Sequence, residues 1–308
     1  MKILFITRLF YPHIGGVEKH VNKVAKRLKA KGESVTVLTE RYDKSLKSEE
    51  KVDGIKVVRF SYPHMKIFGL FSVWNWMWKN RNLILESDVV HIHDVFIWYF
   101  PFCLFFSKKL IITTIHGLEW DRPLYKISIG QKRLAVMLSN RTVGVGKFME
   151  SYLRASFNVI TYGGVDSQKG TFKKQMDYLI YVGRLERNTG LLQFLDWLKI
   201  NPKYKVDFCG DGLLRVECEK YGKVHGFTDP NPYYKKAEYC VPGGYLAALE
   251  ALSYGCKLKL FWNNKVKEDY WKMSPFYQLK GEKLKSWAKK QTWDKLADEY
   301  LDLYNHTK

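Results

Sequence analysis

The chain has 308 residues, 46% of them hydrophobic and 16% aromatic, enough for two domains with cores of their own. Its 51 basic and 31 acidic side chains leave a formal charge of +20, a field that favours phosphorylated ligands, nucleic acid or an anionic membrane surface. The five cysteines show neither C-x-x-C nor zinc-finger spacing, which argues against a disulfide framework or a zinc knuckle and predicts buried, reduced thiols in a cytoplasmic setting.

In chain order, "KILFIT" (2–7) reads as a buried first strand, its apolar run being too short for a signal peptide. After the glycine loop "YPHIGGVE", Val17, Val21, Val24, Ala25 and Leu28 mark one face of a helix, with lysines and Arg27 opposite. "SVTVLT" (34–39), "IKVVRF" (55–60), "DVVHIH" (88–93), "LIITTI" (110–115) and "TVGV" (142–145) follow as short β-rich runs with helical or loop material between them. That alternation predicts a parallel sheet covered by helices, a Rossmann-like half. The pattern begins again after "NVITYGGVD" (158–166), with "YLIYVG", "KVDFCG", "AEYCV" and "KLKLF" as strands. From Gly281 to His306 the apolar spacing of Leu284, Trp287, Ala288, Trp293, Leu296, Ala297 and Tyr300 predicts one long helix.

Two aromatic stretches raise the question of a membrane. "VFIWYFPFCLFF" (95–106) is shorter than the about 20 residues of a spanning helix and is broken by Pro101. "MKIFGLFSVWNWMWKNR" (65–81) interleaves Trp74, Trp76 and Trp78 with apolar residues and ends on Lys79 and Arg81, a composition suited both to a core helix and to a bilayer interface. The lysine-rich side of the helix at 17–31 would add attraction to anionic lipid. No RRM, KH, zinc-knuckle or basic-region pattern supports nucleic acid as the partner.

In open α/β sheets, ligands sit beyond the carboxyl ends of the strands. That rule selects "YPHIGGVE", "HIHD", "IHGLEW", "GRLERNTG", "CGDG" and "VPGGYLAALE", several of them glycine-rich, as the walls of a site for a phosphorylated ligand. Gly243 and Gly244 open a helix whose start suits an anion, and Glu250 follows about two turns on. A glycine turn feeding a core helix with one solvated glutamate is the alternative. In H-x-H-D, strand alternation puts His91 and His93 on one face, open to metal ligation or to structural hydrogen bonding.

In order and spacing these fragments resemble the retaining glycosyltransferases of the GT-B fold, family four, over nearly the whole chain. The resemblance implies an α/β chain with two Rossmann-like domains facing a central cleft: an acceptor-side domain at 1–163, a nucleotide-sugar donor domain at 164–280, and a C-terminal helix at 281–308 packing back toward the first domain. It implies that Glu250 binds the nucleotide ribose, that Gly243, Gly244, Tyr245 and Leu246 present amides to sugar and diphosphate, and that Arg184 neutralises the leaving diphosphate. Gly15 and Gly16 would close the donor site from the other domain, His116 would act at the donor sugar, and Glu119 would reach acceptor hydroxyls. The implied activity is a metal-independent, hexosyltransferase-like transfer with retained configuration and no resident cofactor. Its acceptor would be a lipid-linked or membrane-surface glycan, on the inner face of a membrane.

Two positions depart from the pattern. Pro242 stands where the family signature often has its first glutamate, which leaves the donor sugar open. Thr189 stands where it has a lysine, so one diphosphate charge is missing unless Arg187 or another base supplies it. A sugar-nucleotide epimerase of GT-B fold and a non-catalytic relative are the competing functions.

Overall fold

The computed structural model describes residues 1–63, 66–118, 125–168 and 170–305. The chain divides into unit 1, Met1–Thr161 with Trp293–Lys308, and unit 2, Tyr162–Thr292.

Unit 1 runs β1 (Lys2–Thr7), α1 (Gly16–Ala30), β2 (Ser34–Glu40), β3 (Glu49–Val52), β4 (Ile55–Phe60), α2 (Lys66–Lys79), α3 (Asn82–Leu85) and β5 (Val89–His93). It continues with α4 (Phe96–Tyr99), α5 (Phe102–Phe105), β6 (Leu110–Ile115), α6 (Tyr125–Leu138), β7 (Arg141–Val145), α7 (Phe148–Leu153) and β8 (Val159–Thr161). The strands form one sheet in the order β3-β4-β2-β1-β5-β6-β7-β8, parallel except for the β3–β4 hairpin. Every residue of β1 from Ile3 to Thr7 is buried, as expected of a parallel strand covered on both faces.

Unit 2 runs β9 (Gln175–Val182), α8 (Leu191–Lys199), β10 (Lys205–Cys209), α9 (Arg215–Glu219), β11 (Gly222–Val224), α10 (Asn231–Lys236) and β12 (Ala237–Pro242). It ends with α11 (Tyr245–Ser253), β13 (Lys257–Leu258), α12 (Lys265–Lys272), α13 (Pro275–Gln278) and α14 (Gly281–Lys289). Its five strands are all parallel, in the order β11-β10-β9-β12-β13. The last helix, α15 (Trp293–Asn305), belongs to unit 1 and packs on α1.

Several expectations are corrected. The tail is two helices rather than one. The Val165 N–H takes the Gln291 carbonyl (3.0 Å), and Val165 bridges Thr292, so the segment between α14 and α15 pairs with another strand-like residue instead of continuing the helical ladder. The basic side of α1 is not a free cationic face. Lys26 pairs with Asp53 (2.6 Å), Arg27 with Asp294 (3.5 Å), and Lys31 just beyond the helix with Asp298 (2.7 Å). Those charges are spent on the β3–β4 turn and on α15.

The tryptophans of α2 also divide. Trp74 donates its indole N–H to the Ile97 carbonyl (3.0 Å), and Trp76 packs 5.4 Å from Phe60, so both belong to the core. Trp78 is 44% exposed and shares a helix side with Phe68 and Phe71, at spacings of three and seven. Phe105 of α5 meets Trp78 at 5.3 Å, and Leu104 beside it is exposed. The apolar run at 95–106 is divided at Pro101 into α4 and α5. Among the described residues no helix is long and apolar enough to cross a membrane. All five cysteines are free thiols, and all but Cys103 are buried.

Candidate functional site

In unit 2, β9 lies at the centre of the sheet. The chain leaves it one way to β10 and β11 and the other way to β12 and β13, so the strand order reverses between β9 and β12. A ligand crevice belongs at such a reversal. Here the strand ends are glycine because the backbones nearly touch. The Gly243 N–H donates to the Val182 carbonyl (2.8 Å), and a Cβ on Gly243 would stand 2.9 Å from the Gly183 Cα. A Cβ on Gly210 would fall 1.8 Å from the Gly183 carbonyl oxygen.

From this junction Gly244 caps α11, and the first helical bond is Ala248 N–H to the Gly244 carbonyl (3.1 Å). The amides of Leu246 and Ala247 precede that bond, at the positive end of the helix. The Tyr245 N–H is engaged by the Tyr270 hydroxyl (2.7 Å), and the two rings stack at 3.8 Å. Tyr270 therefore stands where the resemblance puts a ligand. Glu250 is half-buried in the last turn of α11. Burial, then Cys240 and Glu250, hold the Tyr234 hydroxyl well above its ordinary pKa.

Arg184 follows Gly183 with its side chain exposed and its carbonyl held by the Tyr181 hydroxyl (2.9 Å). Arg187 is exposed at the start of the short turn Arg187–Thr189. Thr189 is only 7% exposed, and its hydroxyl is committed to the Glu186 carbonyl (2.7 Å) and the Tyr181 hydroxyl (3.0 Å). A cation does stand close by, on another element. Lys267 of α12 is 4% exposed and donates from Nζ to the Gly243 carbonyl (2.9 Å). Burial, and then the Arg184 guanidinium, push its pKa down to about 7.

In unit 1 the strand order reverses between β1 and β5. A cavity of about 430 Å³ opens at that point, lined by Thr7, Arg8, Glu18, Asp94, Trp98 and Lys132 among others. Its charges are balanced: Lys132 Nζ lies 3.4 Å from Asp94 Oδ1, and Arg8 Nε lies 3.5 Å from Glu40 Oε2. Asp94 also accepts the His116 N–H (2.9 Å).

Behind the cavity is a stack of buried imidazoles. His91 and His93 lie face to face at 4.6 Å, as strand alternation requires. Both nitrogens of His91 are satisfied, by the Tyr304 hydroxyl and by Thr114 Oγ1, each at 2.7 Å. His93 Nδ1 shares a hydrogen bond with His116 Nε2 (3.0 Å), and His20 Nε2 one with the Tyr300 hydroxyl (2.9 Å). Burial holds His20, His91 and His93 well below the ordinary histidine pKa. His116 is pushed down to about 3 by burial and then by Lys132. H-x-H-D is thus a hydrogen-bonding arrangement, and among the described residues no three His, Cys, Asp or Glu side chains are grouped to hold a metal. Gly15 and Gly16 open α1, with the Glu18 carboxylate packed against Gly15 and 2.8 Å from His13 Nδ1. Glu119 lies outside the described residues.

The structure therefore gathers Arg184, Gly243, Gly244 and the start of α11 at one junction in unit 2, and His116 with Asp94 at the other in unit 1. Lys267, Tyr270 and Lys132 escaped the sequence reading. For Lys267 a signal existed: Asn264 caps α12 through Lys267 N–H, and Lys267 and Trp271, four apart, are the two buried positions of an otherwise charged helix.

Sucrose-phosphate synthase of Thermosynechococcus elongatus superposes with a TM-score of 0.75 over 98% of each chain at 14% identity. A Staphylococcus aureus TarM variant, in complex with fondaparinux, α-GlcNAc-glycerol and UDP, superposes at 0.67 over 99% of each chain at 10% identity. At such identities the likeness is one of fold, and that fold is GT-B. An uncharacterized glycosyltransferase of Methanocaldococcus jannaschii is 27% identical over 242 residues, or 75% of this chain. The chain spans 64% of that relative's length. Residues 14–169, half of the chain, match Glycosyltransferase Family 4, and the chain belongs to that family.

Proposed function

We propose that the protein is a retaining glycosyltransferase that needs no metal and moves a sugar from a nucleotide-sugar donor to an acceptor hydroxyl. The observation that carries this reading is the junction of β9 and β12. It offers close-packed glycines, the amides at the start of α11, and the Arg184 guanidinium, which together suit a diphosphate. Glu250 is the ribose acceptor, since an ionised carboxylate can take two hydroxyl protons. The bond from the sugar C1 to the diphosphate oxygen breaks, and a bond from C1 to the acceptor oxygen forms on the same face. The acceptor proton passes to the departing diphosphate, whose growing charge Arg184 stabilises. In unit 1, His116 is neutral and half-buried, bonded to His93 of the cavity wall, and able to exchange hydrogen bonds with a sugar hydroxyl without bringing a charge.

The acceptor, in this reading, is a glycan carried on lipid at an anionic membrane surface, and the protein works in the cytoplasm as a peripheral protein. Phe68, Phe71, Trp78, Leu104 and Phe105 expose apolar surface on α2 and α5 beside the exposed cations Lys79, Arg81 and Lys108. Arg81 lies 5.6 Å from the Trp78 ring. Aromatic rings rimmed by basic side chains suit the headgroup region. A thermal-shift panel of nucleotide sugars tests the donor reading: one or more must raise the melting temperature, and stabilisation by none would refute it.

A further inference from the structure

Lys267 has an unusual setting for an ammonium group. It comes from α12, next to the rings of Tyr270 and Trp271, with Nζ 4.1 Å and 5.0 Å from their centres. Among the described residues its polar partner is a single carbonyl, that of Gly243, and an ammonium has three protons to donate. The carboxylates of its own helix are engaged elsewhere: Asp269 pairs with Lys265, and Glu268 with Lys265 and Lys272. The charged group that faces it from the loop after β9 is Arg184, of the same sign. A buried cation with no counter-charge among the described residues, next to another cation, is costly unless an anion joins it.

The position explains which anion. The Gly243 carbonyl that Lys267 holds belongs to the residue where β12 turns into α11, one residue before the helix cap. Residue 189, where the family pattern has a lysine, carries a buried threonine bonded to its own turn. We propose that Lys267 is the second cation of the diphosphate site, supplying from α12 the charge that position 189 lacks and binding the donor diphosphate together with Arg184. This rests on the donor reading above and adds a residue to it. The four-carbon stem lets the ammonium turn from the Gly243 carbonyl toward an arriving phosphate oxygen. Its pKa, about 7 in the free protein, must rise when two negative phosphates arrive, so binding at pH 8 takes up a proton.

The test is calorimetric titration of UDP, GDP, ADP and their parent nucleosides into the wild type, Lys267→Gln, Lys267→Arg, and Lys267→Gln combined with Thr189→Lys. Titrations at pH 8 are run in two buffers of different ionisation enthalpy. For the diphosphate that the wild type binds, Lys267→Gln should lose about tenfold or more in affinity and abolish proton uptake. The nucleoside should bind Lys267→Gln as it binds the wild type, Lys267→Arg should keep most of the diphosphate affinity, and Thr189→Lys should recover part of what Lys267→Gln lost. Diphosphate and nucleoside weakened equally, or a diphosphate affinity unchanged by Lys267→Gln, would show that Lys267 only pins Gly243 and would overturn the proposal while leaving the donor reading intact. A wild type that binds none of the three diphosphates would overturn both.

Discussion

The two units solve one topological problem with opposite materials. Each sheet reverses its strand order beside its first strand, the place where a ligand belongs in such sheets. In unit 2 that place is made of backbone: Gly183, Gly210 and Gly243 crowd so closely that a methyl group would collide, and the nearby basic side chains are Arg184 and Lys267, whose pKa burial lowers to about 7. In unit 1 it is made of side chains: imidazoles held neutral, and cations answered by Asp94 and Glu40. Fixed amides and unanswered positive charge suit a phosphate, which brings its own charge. Balanced charges and neutral donors suit hydroxyls, which bring none. This difference supports the proposal that the nucleotide binds in unit 2 and the sugar acceptor in unit 1.

The largest expected effect tests the neutral state of the unit 1 histidines. His20, His91, His93 and His116 all have folded pKa values below the value of ~6.5 that an unfolded chain would show. Below that pH the unfolded chain takes up protons that the folded one refuses. Stability is therefore whole above pH 6.5 and falls as the pH drops, by ~1.4 kcal/mol per pH unit for each histidine that stays neutral. Urea unfolding at pH 7 and pH 5 should differ by several kcal/mol. Equal midpoints would mean that the imidazoles can charge in place.

Next comes the cationic side of the contrast. Arg184→Ala should cost about 10²–10³-fold in turnover and less in donor affinity, because the diphosphate charge grows as the bond breaks. Full turnover in that variant would remove Arg184 from the leaving group. Glu250→Ala should weaken the binding of nucleotide and parent nucleoside alike by about 1–3 kcal/mol, with the fold unchanged by circular dichroism. Equal affinities by calorimetry would take Glu250 out of the site.

The smallest effect concerns the outer face of unit 1. Sedimentation with anionic vesicles should recover the protein at low salt and release part of it at high salt, each basic residue at the surface contributing ~1 kcal/mol. Phe71→Ser with Trp78→Ser should weaken this without disturbing the fold, whereas Trp74→Ser should destabilise the core. Indifference to vesicles together with tight binding to single-stranded nucleic acid would give the +20 charge another purpose.

Much of this contrast was legible in the sequence because parallel strands buried on both faces read as apolar runs, and "VVHIH", "LIITTI" and "YLIYV" stand out against the lysine-rich helices. β3 did not, since "EEKV" is a charged edge strand with one buried residue. Its sign was the turn: Asp53 and Gly54 both have positive φ (52° and 78°), the Asp-Gly hairpin signal. The break between α14 and α15 is held by Val165, distant in sequence, and its local mark was slight: Thr292 before Trp293, with Asp294 in the first turn of the new helix. The glycine loops were visible because a strand end followed by glycine has few other uses, and Arg184 was singled out by the family resemblance. Lys267 was not, because it reaches the junction from an element that no strand-end rule selects. Neither were the roles of Trp74 and Trp76, as the aromatic spacing of α2 serves core and surface equally.

Retention of configuration is read at the anomeric centre itself. With the nucleotide sugar that most raises the melting temperature, proton NMR should follow the sugar C1–H while the protein and an acceptor glycan are present. A retaining transfer will show loss of donor, release of nucleoside diphosphate, and a product whose new glycosidic bond keeps the donor's configuration, all slowed by Arg184→Ala. A product of inverted configuration, or a donor epimerised without any acceptor being glycosylated, would contradict it.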